Sequence, residues 1–219
     1  MSMSCPSPIV RRAFALPSGK VQLLPNGCDA RFRRATSDLF VTTYGLRDFT
    51  LYVGHIGWGR KNVLRLLRVA RRLGRPLVLI GEVLPTAYGR ACLELIRENP
   101  LVMHLSTVPP GSDTLASAYA ACDTLVLPSD YETPGLAALE AGLAGAKICI
   151  TRFGGTKEYF GTHATYLDPR SENSIALALQ ASWAKPRTSA LSELIARRFL
   201  WGEAAKSLAA SYNRLLSSG

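Results

Sequence analysis

The chain has no apolar run near the ~20 residues that a helical membrane span requires, and its first residues carry Pro6, Pro8, Arg11 and Arg12 where a secretory signal would be apolar. A cytoplasmic protein is therefore expected. The cysteines (Cys5, Cys28, Cys92, Cys122, Cys149) are odd in number, scattered and mostly embedded in apolar segments, so they read as structural thiols, neither a disulfide frame nor a zinc site. His55, His104 and His163 have no metal-ligand spacing, and no metal or cofactor is expected. The dinucleotide spacing GxGxxG and the Walker A loop are both missing. Acidic residues are in short supply: 16 against 26 Lys and Arg, a formal charge of +10. Much of that excess falls in Arg60, Lys61, Arg65, Arg68, Arg71, Arg72 and Arg75, around one expected helix. The stretch has no interleaved aromatics to stack on bases and no helix-turn-helix, zinc-finger or RNP pattern, which speaks against nucleic acid. A phosphorylated small molecule, peripheral contact with an anionic membrane surface, or a merely solvated helix face remain as uses of the charge.

Short apolar runs recur along the chain: 49–53, 77–80, 101–105, 124–127, 147–151 and 164–167. They do not alternate polar with apolar, and segments of helical period separate them: 62–73, 87–97, 114–121, 135–144 and a short turn near 156–160. Unalternated strands joined by helices mean a parallel sheet covered on both faces. Helical stretches near 171–183, 189–199 and 201–216 follow. The expected fold is α/β, a Rossmann-like doubly wound parallel sheet with C-terminal helices, occupying residues 26–219 after a lead-in of 1–25. Ligands of such sheets bind beyond the carboxyl ends of the strands, which here means residues 54–61, 81–82, 107–111, 128–135 and 152–157.

Two glutamates stand in 128–146 with seven residues between them. Glu132 lies in a Pro/Gly-bounded turn. Glu140 is the only charge between Leu136 and Ala146, and an ionised group in so apolar a helix needs hydrogen-bonding partners. A strand ending at Leu127 and a helix opening at Gly135 would aim backbone N–H groups at the intervening turn, an anion site. The loop His55-Ile56-Gly57-Trp58-Gly59-Arg60-Lys61-Asn62 puts cations at the end of the first strand. Cations opening a helix oppose its macrodipole, which favours an anionic ligand there. A bland reading stands beside each: Glu140 as a structural acid paired with Lys147 or Arg152, Glu132 as an exposed turn residue, Arg60 and Lys61 as solvated charges.

Together these segments resemble the C-terminal, donor-binding domain of the GT-B glycosyltransferases, specifically glycosyltransferase family 4. The segment 21–29 is similar to the family's PNGxD interdomain linker. Leu51–Gly54 with Arg60-Lys61-Asn62 looks like its first strand and basic phosphate loop. Glu132 and Glu140 match its E-x7-E motif, Gly154-Gly155, Glu158 and Asp168-Pro169 its GG…E…DP sequel, and Trp201-Gly202-Glu203 the start of its terminal helix. The resemblance implies that Glu140 accepts from the ribose hydroxyls and Glu132 from a hydroxyl of the donor sugar. It implies that N–H groups near Gly135 and Leu136, with Lys61 and Arg60, hold the diphosphate, Lys61 replacing a metal. Glu132 and Lys61 would then be the catalytic pair.

Three features depart from the family pattern: His55 where Arg is common, a Gly57–Gly59 loop that looks one residue longer, and Thr133-Pro134 in place of Gly-Phe. Against the family pattern an N-terminal acceptor-binding domain is also expected to be missing, residues 1–20 resembling only its last helix and exit. Trp201, Tyr212 and Leu215 are expected to pack the terminal helix. The resemblance implies the donor half of a retaining, metal-independent glycosyltransferase of polysaccharide biosynthesis. It would take a UDP-, GDP- or ADP-sugar and a glycan or lipid-linked acceptor, and transfer poorly without an acceptor domain. The alternatives are a non-catalytic nucleotide-sugar-binding subunit that needs an acceptor-domain polypeptide, or an inactive truncated remnant.

Overall fold

The computed structural model describes residues 24–106 and 108–217, with Ala15. The lead-in, most of 21–25 of the linker motif, Thr107 and the side chain of Leu215 thus lie outside the described residues. Six strands form one parallel sheet: β1 (Thr50–Val53), β2 (Leu77–Ile80), β3 (Val102–Leu105), β4 (Thr124–Leu127), β5 (Lys147–Thr151) and β6 (Ala164–Leu167). Their order is β3-β2-β1-β4-β5-β6, all neighbours parallel. Between them run α2 (Val63–Leu73), α3 (Ala87–Arg97), α4 (Asp113–Ala121), α5 (Leu136–Leu143) and α6 (Thr156–Phe160); α7 (Glu172–Ala184), α8 (Ala190–Arg198) and α9 (Trp201–Ser217) follow. Every residue of β2 and β4 is buried. That is why these strands read as unbroken apolar runs: neither face meets water. One set of helices packs as α2 on α3 and α7, the other as α4 on α5 and α5 on α8.

An element the apolar periodicity did not reveal precedes the sheet. Asp29 caps a 3-10 turn at Ala30–Arg34 by accepting from Arg31 N, and α1 (Asp38–Tyr44) packs on α4. Each carries a single buried residue, Phe32 and Phe40. Two aromatic anchors suffice, since burying a Phe side chain gives ~1.5–3 kcal/mol. The backbone N–H of Phe40 donates to Ser117 Oγ of α4 at 2.9 Å.

The chain reverses direction across the sheet between β1 and β4. A crevice opens there, beyond the strands' carboxyl ends. No helix among the described residues is long and apolar enough to cross a membrane.

Candidate functional site

The loops after β1 and β4 meet in this crevice. Arg60 and Lys61 do not open α2, as the sequence suggested; they form a separate 3-10 turn, Gly59–Lys61, and Asn62 in left-handed conformation divides it from α2. The macrodipole of α2 is therefore no argument about these cations. Asn62 instead clasps the two loops together, its Nδ2 donating to Pro128 O at 3.0 Å and Asp130 Oδ1 at 2.7 Å, while the N–H of Asp130 donates to Arg60 O. The clasp delivers Lys61 Nζ to within 2.6 Å of Glu132 Oε1, and Ser129 Oγ donates to the same oxygen at 2.6 Å. Lys61 and Glu132 are 16% and 11% exposed, so the pair is largely shielded but reachable from the crevice.

Glu132 is held from behind by backbone. Its N–H donates to Phe153 O, its C=O accepts from Gly155 N–H at 2.9 Å, and it bridges to Gly154 as a one-residue strand pair. Gly154 has φ of +91°, and a Cβ on it would lie 2.2 Å from Glu132 O, so glycine is required. Beyond Glu132, Gly135 at φ +85° caps α5, and a Cβ there would lie 3.0 Å from Leu127 and 3.5 Å from Glu132 Oε2. The N-terminus of α5, beginning at Leu136, thus abuts the Lys61–Glu132 pair, with Leu136 exposed.

One turn into α5, Glu140 lines a cavity of about 440 Å³ whose other walls come from the ends of β1 and β2 (Val53, Gly54, Gly81) and the loop at Val108–Pro110. The bland partners fall away: Lys147 pairs with Asp123 at 2.9 Å and Arg152 with Asp168 at 2.5 Å. Glu140 makes no ion pair among the described residues. Its Oε2 accepts from the Tyr119 hydroxyl at 2.8 Å. Burial pushes its carboxyl above the ordinary range, the Tyr119 hydrogen bond pulls it back, and Asp29 adds a smaller push upward. Cys28, beside it, is pushed up to about 12, chiefly by burial.

Lys61, Glu132 and the start of α5 are thus brought together, and Glu140 stands on the same side of the sheet facing the cavity. Arg60 faces outward, its guanidinium 5.1 Å from the Trp58 ring centroid and 5.9 Å from that of Tyr131, with the exposed His55 ring 5.0 Å from Trp58. Glu158 is exposed. The arginines of α2 are partly neutralised within the fold, Arg68 by Glu172 and Arg71 by Glu98. Two expectations fail at α9: Trp201 and Tyr212 are 52% and 58% exposed, so neither is a buried anchor for the helix. Among its described side chains the helix has none buried, its main packing contact being with α8. Pro134, between the two glutamates, is buried. Sequence reasoning missed Ser129, Asn62 as a clasp, and Tyr119. Ser129 and Asn62 adjoin quoted motifs, but Tyr119 sits in a small-residue helix with no local signal. No group of three or more His, Cys, Asp or Glu suited to a metal occurs among the described residues.

Comparison with known proteins places the chain by family and by fold. The sequence model of the family described as "Glycosyl transferases group 1" matches residues 47–184, which take in all six strands of the sheet and both glutamates. An uncharacterized glycosyltransferase of Methanocaldococcus jannaschii is 27% identical over 177 residues, 74% of this chain and 45% of that one. D-inositol 3-phosphate glycosyltransferase of Corynebacterium kroppenstedtii is 32% identical over 127 residues, 55% of this chain and 28% of that one. In structure, sucrose-phosphate synthase of Thermosynechococcus elongatus superposes with a TM-score of 0.82 at 24% identity, over 96% of this chain and 56% of the synthase, a likeness of fold. The chain spans about half or less of the length of the relatives it matches in sequence.

Proposed function

The chain belongs to the group 1 glycosyl transferases, and from that premise we propose that it is the donor-binding half of a retaining, metal-independent family 4 enzyme using a nucleoside-diphosphate sugar. The observation that carries the reading is the meeting of Lys61, Ser129, Glu132 and the α5 N-terminus at the β1/β4 switch point, next to a cavity edged by Glu140. The base and ribose occupy that cavity, with the ribose hydroxyls donating to Glu140. The diphosphate lies across the first turn of α5, where N–H groups and the helix dipole favour an anion, and Lys61 turns from Glu132 to a phosphate oxygen. Glu132, so released, accepts from a hydroxyl of the donor sugar.

As the glycosidic bond to the diphosphate breaks, negative charge grows on the leaving oxygens. Donors already in place there stabilise the transition state more than the ground state. Lys61 supplies the positive charge that a metal supplies elsewhere, and Arg60 adds long-range attraction from its outward position. The acceptor in this reading is a glycan or lipid-linked glycan; the relative from Corynebacterium kroppenstedtii is instead named for a phosphorylated polyol, D-inositol 3-phosphate. An acceptor domain completes the cleft and turns donor binding into transfer.

Titration with UDP, GDP and ADP tests this directly. One of them should bind and raise the melting temperature, since a ligand selective for the native state stabilises it. Binding of none at millimolar concentration would overturn the reading. A second reading, a non-catalytic donor-binding subunit that docks on a separate acceptor-domain polypeptide, draws support from α9, whose Trp201, Leu208, Tyr212 and Leu216 are all exposed. Co-purification of such a polypeptide, with transfer only in the mixture, distinguishes it.

A further inference from the structure

A buried tyrosine must place its hydroxyl proton somewhere, and this fold shows the ordinary solution elsewhere. Tyr52, fully buried, donates to the backbone carbonyl of His55 at 3.0 Å, and the part-exposed Tyr166 likewise to that of Gly161 at 2.7 Å. Tyr119 does otherwise. Although fully buried, it gives its proton to a carboxylate on another helix, Glu140 Oε2, at 2.8 Å. That carboxylate has no cation among the described residues and lines the cavity at the strand ends together with Tyr119 itself. A core helix that wanted only to fill this space could hold Phe at 119 and an apolar residue at 140. The pair keeps two costly polar groups out of water in order to present one of them to a cavity.

We propose that Tyr119 is a positioning residue for the donor nucleotide: it holds Glu140 in one rotamer, ionised and aimed at the cavity, so that the carboxylate is pre-set to receive ribose hydroxyls. The inference rests on the donor-binding reading of the cavity. Its mechanics are on the page. The Tyr119 ring is fixed by packing, with Phe32 edge-on at 5.6 Å and 74°, and α4 around it buries Leu115, Ala116, Ala118 and Ala121. A hydrogen bond from a locked hydroxyl restrains the flexible glutamate. It occupies one lone pair of Oε2 and leaves acceptor capacity for a ligand, since a carboxylate offers about four lone-pair sites. The bond also opposes the effect of burial on Glu140's proton affinity. The other titratable groups about Glu140 are Asp29 and Cys28 from the chain before the 3-10 turn; His55 and Glu82 line the cavity from the β1 and β2 ends. Among the described residues only Tyr119 is seen donating to its side chain.

The test uses the 219-residue chain, calorimetric titration with UDP, GDP and ADP, and the 2′,3′-dideoxy form of whichever binds most tightly. Tyr119→Phe keeps the ring and removes the donor. It should weaken the ribonucleotide about tenfold, the scale of one hydrogen bond to a charged group, and leave the dideoxy form unchanged. A merely structural role would weaken both alike. In an E140A background Tyr119→Phe should have no further effect on ribonucleotide affinity, which keeps the test decisive if the single variant loses some stability. Wild-type affinity should fall as pH drops and Glu140 takes up its proton; in Tyr119→Phe the fall should begin at higher pH, because the bond that favoured the ionised form is gone. Unchanged ribonucleotide affinity in Tyr119→Phe, or equal loss for both nucleotide forms, overturns the positioning role while the donor site stands. Wild-type failure to bind any of the nucleotides overturns the donor reading and this inference with it.

Discussion

Lysine 61 and glutamate 132 offer a prediction in which stability and binding part company. The two charges meet at 2.6 Å with most of each side chain out of water. Replacing Lys61 by Ala leaves Glu132 with only the Ser129 hydroxyl as donor. Orphaning a fully buried charge costs ~3–5 kcal/mol, and because the crevice lets some water reach Glu132 we expect about 2–3 kcal/mol here. For a chain of this size about 2–4 °C of melting temperature goes with each kcal/mol, so Lys61→Ala should melt about 4–12 °C below the parent. The double variant Lys61→Met with Glu132→Leu removes both charges and keeps apolar volume. It should recover to within about 1 kcal/mol of the parent, since well-packed apolar replacements of a buried pair are often neutral or stabilising. Both variants should lose nucleoside diphosphate affinity at least about tenfold, the free energy of a charge-assisted contact, and keep whatever affinity the bare nucleoside has. Thermal denaturation by circular dichroism and calorimetric titration read the two quantities separately. If Lys61→Ala melts with the parent, the pair contributes nothing to the fold. If the double variant loses as much as the single changes summed, the two side chains act independently and the argument fails.

Three further outcomes are expected. Because burial raises the Glu140 carboxyl's pKa in the folded state, its contribution to stability is complete below the unfolded pKa and is lost as pH rises through the folded one; Glu140→Gln should therefore melt above the parent at pH 8, with the gap closing as pH falls through the carboxylate range, yet bind donor nucleotide more weakly. Gly154→Ala would set a Cβ 2.2 Å from Glu132 O on a left-handed backbone. It should cost upwards of ~2 kcal/mol and abolish donor binding by displacing Glu132, a loss that titration and melting would register together. Leu216→Ser, a change at the most exposed large apolar residue of α9, should shift stability by no more than ~0.5 kcal/mol; a large drop in melting temperature would mean that this face is covered in solution.

Strands were the most legible part of the sequence, because β2 and β4, buried throughout, leave short Leu/Val/Ile runs set between segments of helical period. The segment from Ala30 to Tyr44 was not, since its anchoring depends on two phenylalanines eight residues apart and on contacts with α4, which lies far along the chain. The site divides in the same way. Glu132, Glu140 and Lys61 were visible because each is a polar residue in a place where local chemistry makes it odd. That Lys61 would sit in a detached turn and reach Glu132 depends on Asn62 bridging two loops, a tertiary fact. Tyr119 was invisible for a related reason: an aromatic residue in an apolar helix reads as core, and only the neighbouring helix reveals what its hydroxyl is for.

The segment at Cys28 runs beside Leu200 as an isolated parallel bridge, its N–H donating to Phe199 O at 2.8 Å and its C=O accepting from Trp201 N–H at 3.1 Å. Gly27 lies so close to this junction that a Cβ would stand 2.6 Å from Trp201 N. The chain entering the sheet domain and the helix departing from it are therefore tied at one knot. The same short stretch reaches the crevice twice, through Asn26 on Thr133 O and through Asp29 near Glu140. A force applied to α9 is delivered through that knot to the backbone beside both glutamates. Anything that grips the exposed helix acquires a mechanical handle on the place where the nucleotide would lie.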